Sequence, residues 1–203
     1  MEPLEIEVKF YLEDYEALRN RILSMGAKSR GRVFERNIRF ETVDNRLIRQ
    51  HSLLRLRRAD KSTLTFKSEA ENPGRQFKIH KELEVGIDDF DAMARILESL
   101  GFQPAQCYEK WRETLKLHNT CFCLDALPYG NFIEIEGTKS EIKQWAARIG
   151  LDWNKRILLN YLAMFEIIRI REKLAFSDIT FLNFTNLNID PEQYLDRFEI
   201  GEA

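Results

Sequence analysis

The sequence predicts an α+β fold, a closed antiparallel eight-stranded β-barrel forming a tunnel, with helices packed outside. Three observations lead to it. Charge alternates with hydrocarbon along segment after segment, as in Leu4-Glu5-Ile6-Glu7-Val8-Lys9-Phe10, the period of a strand with two unlike faces. The charged faces carry both signs in clusters, with few Ser, Thr or Gln as diluents. Helical segments recur between strands, so that each half reads strand, helix, strand. A charged face on any one antiparallel strand usually meets water. Clustered Arg, Lys and Glu on strand after strand suit instead the inside of a closed sheet that holds a polyanion and a metal.

The elements follow in order. The strand at 4–10 opens the chain. At 13–25, Tyr15, Leu18, Ile22 and Met25 fall at helical spacing, and Gly26 ends that helix. Its Arg19 and Arg21 read as solvated. Residues 33–42 form a second strand whose facing is ambiguous: Phe34, Arg36, Ile38 and Phe40 alternate with Glu35, Asn37, Arg39 and Glu41. After a turn at Asp44-Asn45 and a short connection over 47–51, strands at 53–59 and 62–68 make a hairpin around Asp60-Lys61. The stretch 69–76, with Asn72-Pro73-Gly74, is a polar loop. A strand at 77–87 leads to a helix capped by Asp88-Asp89, with Phe90, Met93, Ile96, Leu97 and Leu100 as its apolar stripe. Residues 102–117 form a long strand or a bent pair, and strands at 120–127 and 132–136 complete the eight. Helices at 138–149 and 156–171 follow, the latter with Ile157, Leu158, Tyr161, Phe165 and Ile168 near one face. The organisation is thus a main domain over 1–170 and an extension over 171–203 that lacks the inward charge pattern. Its aromatic residues suit docking on the body or on a partner.

The alternation assigns inward positions. Arg55 and Arg57 lie opposite Leu54 and Leu56, Lys67 groups with two threonines, and Lys78, His80, Glu82 and Glu84 share one face. Lys110 and Arg112 pair on another strand, Asp125 points inward, and Glu134 and Glu136 repeat the double carboxylate of Glu5 and Glu7. Arg offers a planar fork of donors for phosphate oxygens and Lys a compact charge. The carboxylates offset the repulsion among these cations. They also supply the hard oxygen ligands that Mg²⁺ or Mn²⁺ prefers.

These stretches resemble, in order, the CYTH domain or triphosphate tunnel metalloenzyme superfamily. The resemblance rests on Glu5-x-Glu7-x-Lys9, Leu54-Arg55-Leu56-Arg57, Thr65-Phe66-Lys67, Lys81-Glu82-Leu83-Glu84-Val85, Lys110-x-Arg112, Leu124-Asp125 and Gly130-Asn131-Phe132-Ile133-Glu134-Ile135-Glu136-Gly137. Within the superfamily the chain is most similar to CyaB-like proteins, labelled class IV adenylyl cyclases and including triphosphatases. The resemblance implies Glu5, Glu7, Glu134 and Glu136 as metal ligands, with Asp125 as a further one. It implies Lys9, Arg55, Arg57, Lys67, Lys110 and Arg112 as the grip on the phosphate chain, joined by Lys78 and His80. Glu82 and Glu84 would line the tunnel and act with Glu5, Glu7 and Lys9 in catalysis. The family commonly has Arg at the place of His80, and an aromatic at that of Arg39. The first departure weakens a phosphate contact or makes the site pH-sensitive. The second adds a cation that can face the cavity.

Composition sets bounds. Hydrophobic residues are 44% and charged ones 32% of the 203, so the chain is globular and charge-rich. A net charge of −2 argues against a duplex nucleic-acid partner. No apolar run is long enough for a bilayer, and Met1-Glu2-Pro3 does not read as a signal peptide. Cys107, Cys121 and Cys123 lack a CxxC spacing and read as reduced thiols of a cytoplasmic protein, not a zinc site. No Walker pattern is present. The expected protein is a monomer or homodimer acting on a small triphosphate compound. Three functions remain open: a metal-dependent triphosphatase acting on inorganic, nucleoside or thiamine triphosphate, an adenylyl cyclase releasing cyclic AMP and pyrophosphate, and a non-catalytic polyanion or nucleotide binder.

Overall fold

The computed structural model describes residues 4–70 and 76–199. The turn expected at 72–74 and the N-terminal three residues lie outside the described residues. Among the described residues there are eight strands: β1 (Leu4–Tyr11), β2 (Lys28–Thr42), β3 (Ser52–Arg58), β4 (Ser62–Glu69), β5 (Lys78–Ile87), β6 (Phe102–Leu117), β7 (Thr120–Leu127) and β8 (Gly130–Glu136). They hydrogen-bond as an antiparallel ring in the order β1-β5-β4-β3-β2-β6-β7-β8, closed by pairing of β1 with β8. The stretch 102–117 is one long strand, and β2 begins five residues before the alternation alone placed it. That early part of β2 carries a bulge between Ser29 and Arg32, which interrupts the period-2 pattern and hides the strand from a sequence reading.

Helices cover the outside. α1 (Tyr15–Ser24) starts at Asp14, whose side chain accepts from the Ala17 amide, and buries Leu18 and Ile22. The one-turn α2 (Arg46–Arg49) follows β2. α3 (Phe90–Ser99) is capped in the same way by Asp89, and α4 (Lys139–Arg148) by a Thr138–Glu141 capping box. α1 and α4 close one outer core with Val8, Phe10, Phe122, Ile133 and Ile135, all nearly inaccessible. α3 closes another over Phe40, Leu54 and Leu56.

The helix after α4 corrects an expectation. α5 spans Tyr161–Arg171, not 156–171. Ile157 is instead drawn into backbone bridges with Lys9 and Glu199, so long-range pairing overrides its helical spacing. Beyond α5 the chain packs on the ring itself. The Ile179 amide donates to the Cys107 carbonyl, and the Glu109 amide to that of Ile179. Phe184, Tyr194 and Phe198 share a core with Tyr129, Phe132 and Phe165, ending at α6 (Leu195–Phe198). Arg19 departs from the solvated reading, being half-buried, while Arg21 is exposed as expected. Arg19 clamps Glu113 through Nε at 2.7 Å and Nη2 at 2.9 Å, and Arg21 donates to the Ile149 carbonyl. Among the described residues no helix is long and apolar enough to cross a membrane.

Candidate active site

The ring encloses a cavity of about 1520 Å³ lined by side chains of both signs. Register explains how they meet. Glu7 of β1 lies opposite Lys78 of β5 and Glu136 of β8, while Lys9 faces Glu134. On the other wall Arg55 lies opposite Thr65, and Lys67 opposite Glu82. Directly opposed residues of an antiparallel pair share a face, so the alternation in each strand converges on one interior.

Glu5, Glu7 and Glu136 form one acidic group. One carboxylate oxygen from each lies within 4.8 Å of the others. Burial, then the charge of Glu7, pushes the Glu5 carboxyl up to about 7 despite Lys67. Burial likewise holds Glu136 above its ordinary value. Burial and Glu134 push Glu7 upward, yet Lys78, Lys9 and Lys67 bring it below the usual carboxylate range. Burial is the main cause of both raised carboxyls, with the neighbouring carboxylates adding to it.

The other two expected ligands sit differently. Glu134 is held by Lys9 at 3.2 Å and by Arg112. Burial opposes its charge, but Lys9, Arg112, Lys110 and Lys78 hold it well below the carboxylate range. Asp125 is fully buried. It accepts from Lys110 Nζ at 2.9 Å, from Arg112 Nε at 2.6 Å and from the Tyr161 hydroxyl at 2.7 Å. Its oxygens serve to position cations, and it lies outside the acidic group.

Each expected phosphate-binding residue borders the cavity. Lys67 pairs with Glu5, and with Glu82 at 3.1 Å. Lys78 meets Glu7 at 2.5 Å. Arg57 reaches Glu84 at 3.2 Å and Glu35 at 3.5 Å. Arg55 donates to Thr65 and Tyr108, leaving its Nε without a partner. Arg39 also borders the cavity, 3.7 Å from Glu41. His80 is there too, but burial, Lys78 and Lys67 hold its imidazole below its ordinary value. It therefore stays neutral where an arginine would add charge.

Three side chains were not given roles by the sequence reading. Glu35 sits between Arg57 and Lys110; burial raises its carboxyl, but Lys110, Arg112, Arg57 and Arg55 bring it down to about 2. Tyr108 receives Arg55. Tyr161, counted as an apolar helix residue, lies under Lys9 at 4.2 Å and under Lys110 at 5.1 Å. Tyr161 sits where a phenylalanine would satisfy the apolar helical pattern, so its hydroxyl gave no signal; Tyr108 shares the parity of Lys110 and Arg112 on β6, and that alternation could have placed it on the inner face.

Comparison with known proteins adds to this geometry. The family model described as the CYTH domain matches residues 3–161. A Methanocaldococcus jannaschii protein provisionally named an adenylate cyclase is 27% identical over 143 residues, covering 70% of this chain and 81% of that protein. The solved PH1012 protein of Pyrococcus horikoshii OT3 is 28% identical, covers 77% of this chain and 96% of its own, and superposes with a TM-score of 0.65. A Hippeastrum protein provisionally named an adenylyl cyclase, described as having dominant triphosphatase activity, is 19% identical, covers 80% and 95%, and has a TM-score of 0.56. At that identity the likeness is one of fold.

Proposed function

Because the chain belongs to the CYTH domain family, we propose that it is a divalent-metal-dependent hydrolase of triphosphate compounds bound in the tunnel inside its ring. The observation that carries this reading is the juxtaposition, in one cavity, of the Glu5, Glu7 and Glu136 group with Lys9, Arg55, Lys67, Lys78 and Arg112. A pure anion binder gains nothing from three crowded carboxylates. The Hippeastrum protein, described as having dominant triphosphatase activity, shares the fold, so hydrolysis is a reaction this fold can host.

The acidic group fits Mg²⁺ or Mn²⁺: three hard oxygen donors converge within 4.8 Å in a largely buried wall, where a divalent ion would favour their charged forms. Bound there, such an ion supplies charge neutralisation on phosphate oxygens and polarisation of the phosphorus. The chain's own residues do the rest. Lys9, Lys67 and Lys78 present ammonium groups to the phosphate chain, and Arg55 and Arg112 their planar donors. Asp125, Glu134 and Tyr161 hold Lys9, Lys110 and Arg112 in place, so the grip is organised before substrate arrives. Glu82 and Glu84 keep Lys67 and Arg57 directed inward, and Glu82 is the group available to orient an attacking water. Phosphoryl transfer is mostly positioning and charge stabilisation, which suits a site with this many fixed charges and no Ser-His-Asp set.

The test is a product assay on the purified chain with Mg²⁺ or Mn²⁺. Tripolyphosphate should release orthophosphate, and ATP should yield no cyclic AMP. Cyclic AMP with pyrophosphate would replace hydrolysis by the cyclase reaction. Neither product would leave a polyanion-binding protein.

Metal affinity should depend on pH through Glu5. A proton occupies its carboxyl below about 7, so the metal must displace it there. Mn²⁺ affinity should fall by about tenfold per pH unit below that point, with matching proton release, and level off above it. Without metal, the same carboxyl favours folding below its unfolded value of 4.5 and loses that contribution as pH rises to about 7. Calorimetric titration on both sides of neutrality reads the metal effect; a pH-independent affinity would refute it.

A further inference from the structure

The bulge in β2 changes which residues face inward. Below it Val33 lies opposite Arg112; above it Lys28 lies opposite Lys116. Five steps along β2 therefore match four along β6, and the alternation of β2 changes face between them. Without the extra residue Lys28 would sit on the outer face with Arg36. With it, Lys28 joins the inner-face row and Arg30 reaches the cavity wall. Gly31 takes the left-handed backbone the bulge requires, at φ +89. Its amide donates to the Ser29 hydroxyl, which donates to Glu113, itself clamped by Arg19. The bulge is thus braced on the outside, while Lys28 and Arg30 stay exposed at the rim, Arg30 bordering the cavity.

One lateral row of register partners runs Lys28, Lys116, Cys121, Glu136 and Glu7 across β2, β6, β7, β8 and β1. Neighbouring strands lie roughly 4.8 Å apart, which places Lys116 only about 10 Å from Glu136 along the sheet. Lys28, Arg30 and Lys116, with His118, surround a surface hollow that shares Arg30 with the main cavity. Lys28 and Lys116 are like charges placed directly opposite, an unfavourable pairing. Among the described residues Lys28, Arg30 and Lys116 have no ion pair, whereas the cations deeper in the cavity are matched by carboxylates.

We propose that this rim is an accessory anion site that takes the part of a linear inorganic polyphosphate extending beyond the three phosphoryl groups in the cavity. The inference rests on the triphosphate reading above and extends its substrate to longer chains. The hollow is lined without Phe, Tyr or Trp, and the ring among its lining residues is the small imidazole of His118, a poorer platform for a nucleobase than the aromatic side chains of single-strand binders. Its exposed ammonium groups recognise charge alone, repeated along a flexible chain. The overall charge of −2 also sets it apart from a nucleic-acid surface.

Binding of tripolyphosphate and of a longer linear polyphosphate to the full chain, compared by calorimetry at matched phosphate and salt, tests this without requiring turnover. The longer chain should bind about tenfold tighter. A Lys28→Ser/Lys116→Thr double variant, altered only at exposed positions, should lose that preference while keeping the tripolyphosphate affinity and an unchanged melting profile. A Lys116→Glu variant should lose it as well. Equal affinity for both chains in the unaltered protein would overturn the proposal, as would a preference that survives the substitutions. Equal weakening of both ligands would mean general steering of anions and would also overturn it. A 5′-triphosphorylated RNA that outcompetes the polyphosphate would assign the rim to nucleic acid instead. If tripolyphosphate binds but is not hydrolysed, the hydrolase reading fails while the chain-length preference remains readable.

Discussion

Glu7→Gln should reduce kcat for tripolyphosphate on the order of 10³-fold while leaving its binding intact or tighter. Glu7 is 4% exposed and stands 2.5 Å from Lys78. The amide keeps the shape and still accepts from Lys78, so the wall should not collapse. It removes a charge from the group of three carboxylates and with it much of the affinity for a divalent ion. It also removes a negative charge from a cavity that must hold a polyanion, so KM should stay level or fall. This split separates a metal-holding carboxylate from a structural one, whose loss would raise KM and lower the melting temperature together. Unchanged kcat in saturating metal would end the assignment of Glu7.

Arg112→Ala should destabilise the fold by about 3–5 kcal/mol, because it leaves two carboxylates in the interior without their shared cation. Asp125 is wholly buried and Glu134 is 6% exposed. Arg112 bridges them, with Nε 2.6 Å from Asp125 and Nη2 on both residues. At roughly 2–4 °C per kcal/mol for a chain of this size, thermal unfolding should occur about 10 °C lower. Adding Asp125→Asn should restore part of the loss: Asp125 keeps Lys110 and Tyr161 and Glu134 keeps Lys9, and the amide removes one of the two charges that had shared Arg112; the double-mutant cycle measures the coupling. Wild-type melting in the single variant would show that water reaches these carboxylates and that the network is not enclosed.

Much of this architecture was legible because strands write themselves with period 2. Glu5, Glu7 and Lys9, or Glu134 and Glu136, could be placed on one face from spacing alone, the first helix from the spacing of Tyr15, Leu18 and Ile22, and the helix after β5 from its apolar stripe behind Asp88-Asp89. What stayed illegible depends on pairing between distant segments. The extra residue near Gly31 cannot be counted until β2 is laid against β6, so Lys28 and Arg30 had no assignable face. Ile157 matches the apolar spacing of α5 but is claimed by Lys9 and Glu199. Asp125 and Glu136 look alike in the sequence, each an inward acid on a strand. Only the cations that reach them distinguish a positioning carboxylate from one left to bind a metal.

The closure of the ring has a temporal consequence. β1 pairs Glu7 with Glu136 and with Lys78, so the first strand made must wait for segments far downstream before either of its edges is satisfied. At about 5–20 residues per second of synthesis, β1 spends several seconds on the ribosome as an open strand. Such a wait exposes a hydrophobic strand to pairing with other nascent chains. The charges at Glu5, Glu7 and Lys9 interrupt the apolar run at every second residue and disfavour that pairing. The residues proposed to hold the metal and substrate would thus protect the chain first, before there is a tunnel for them to line.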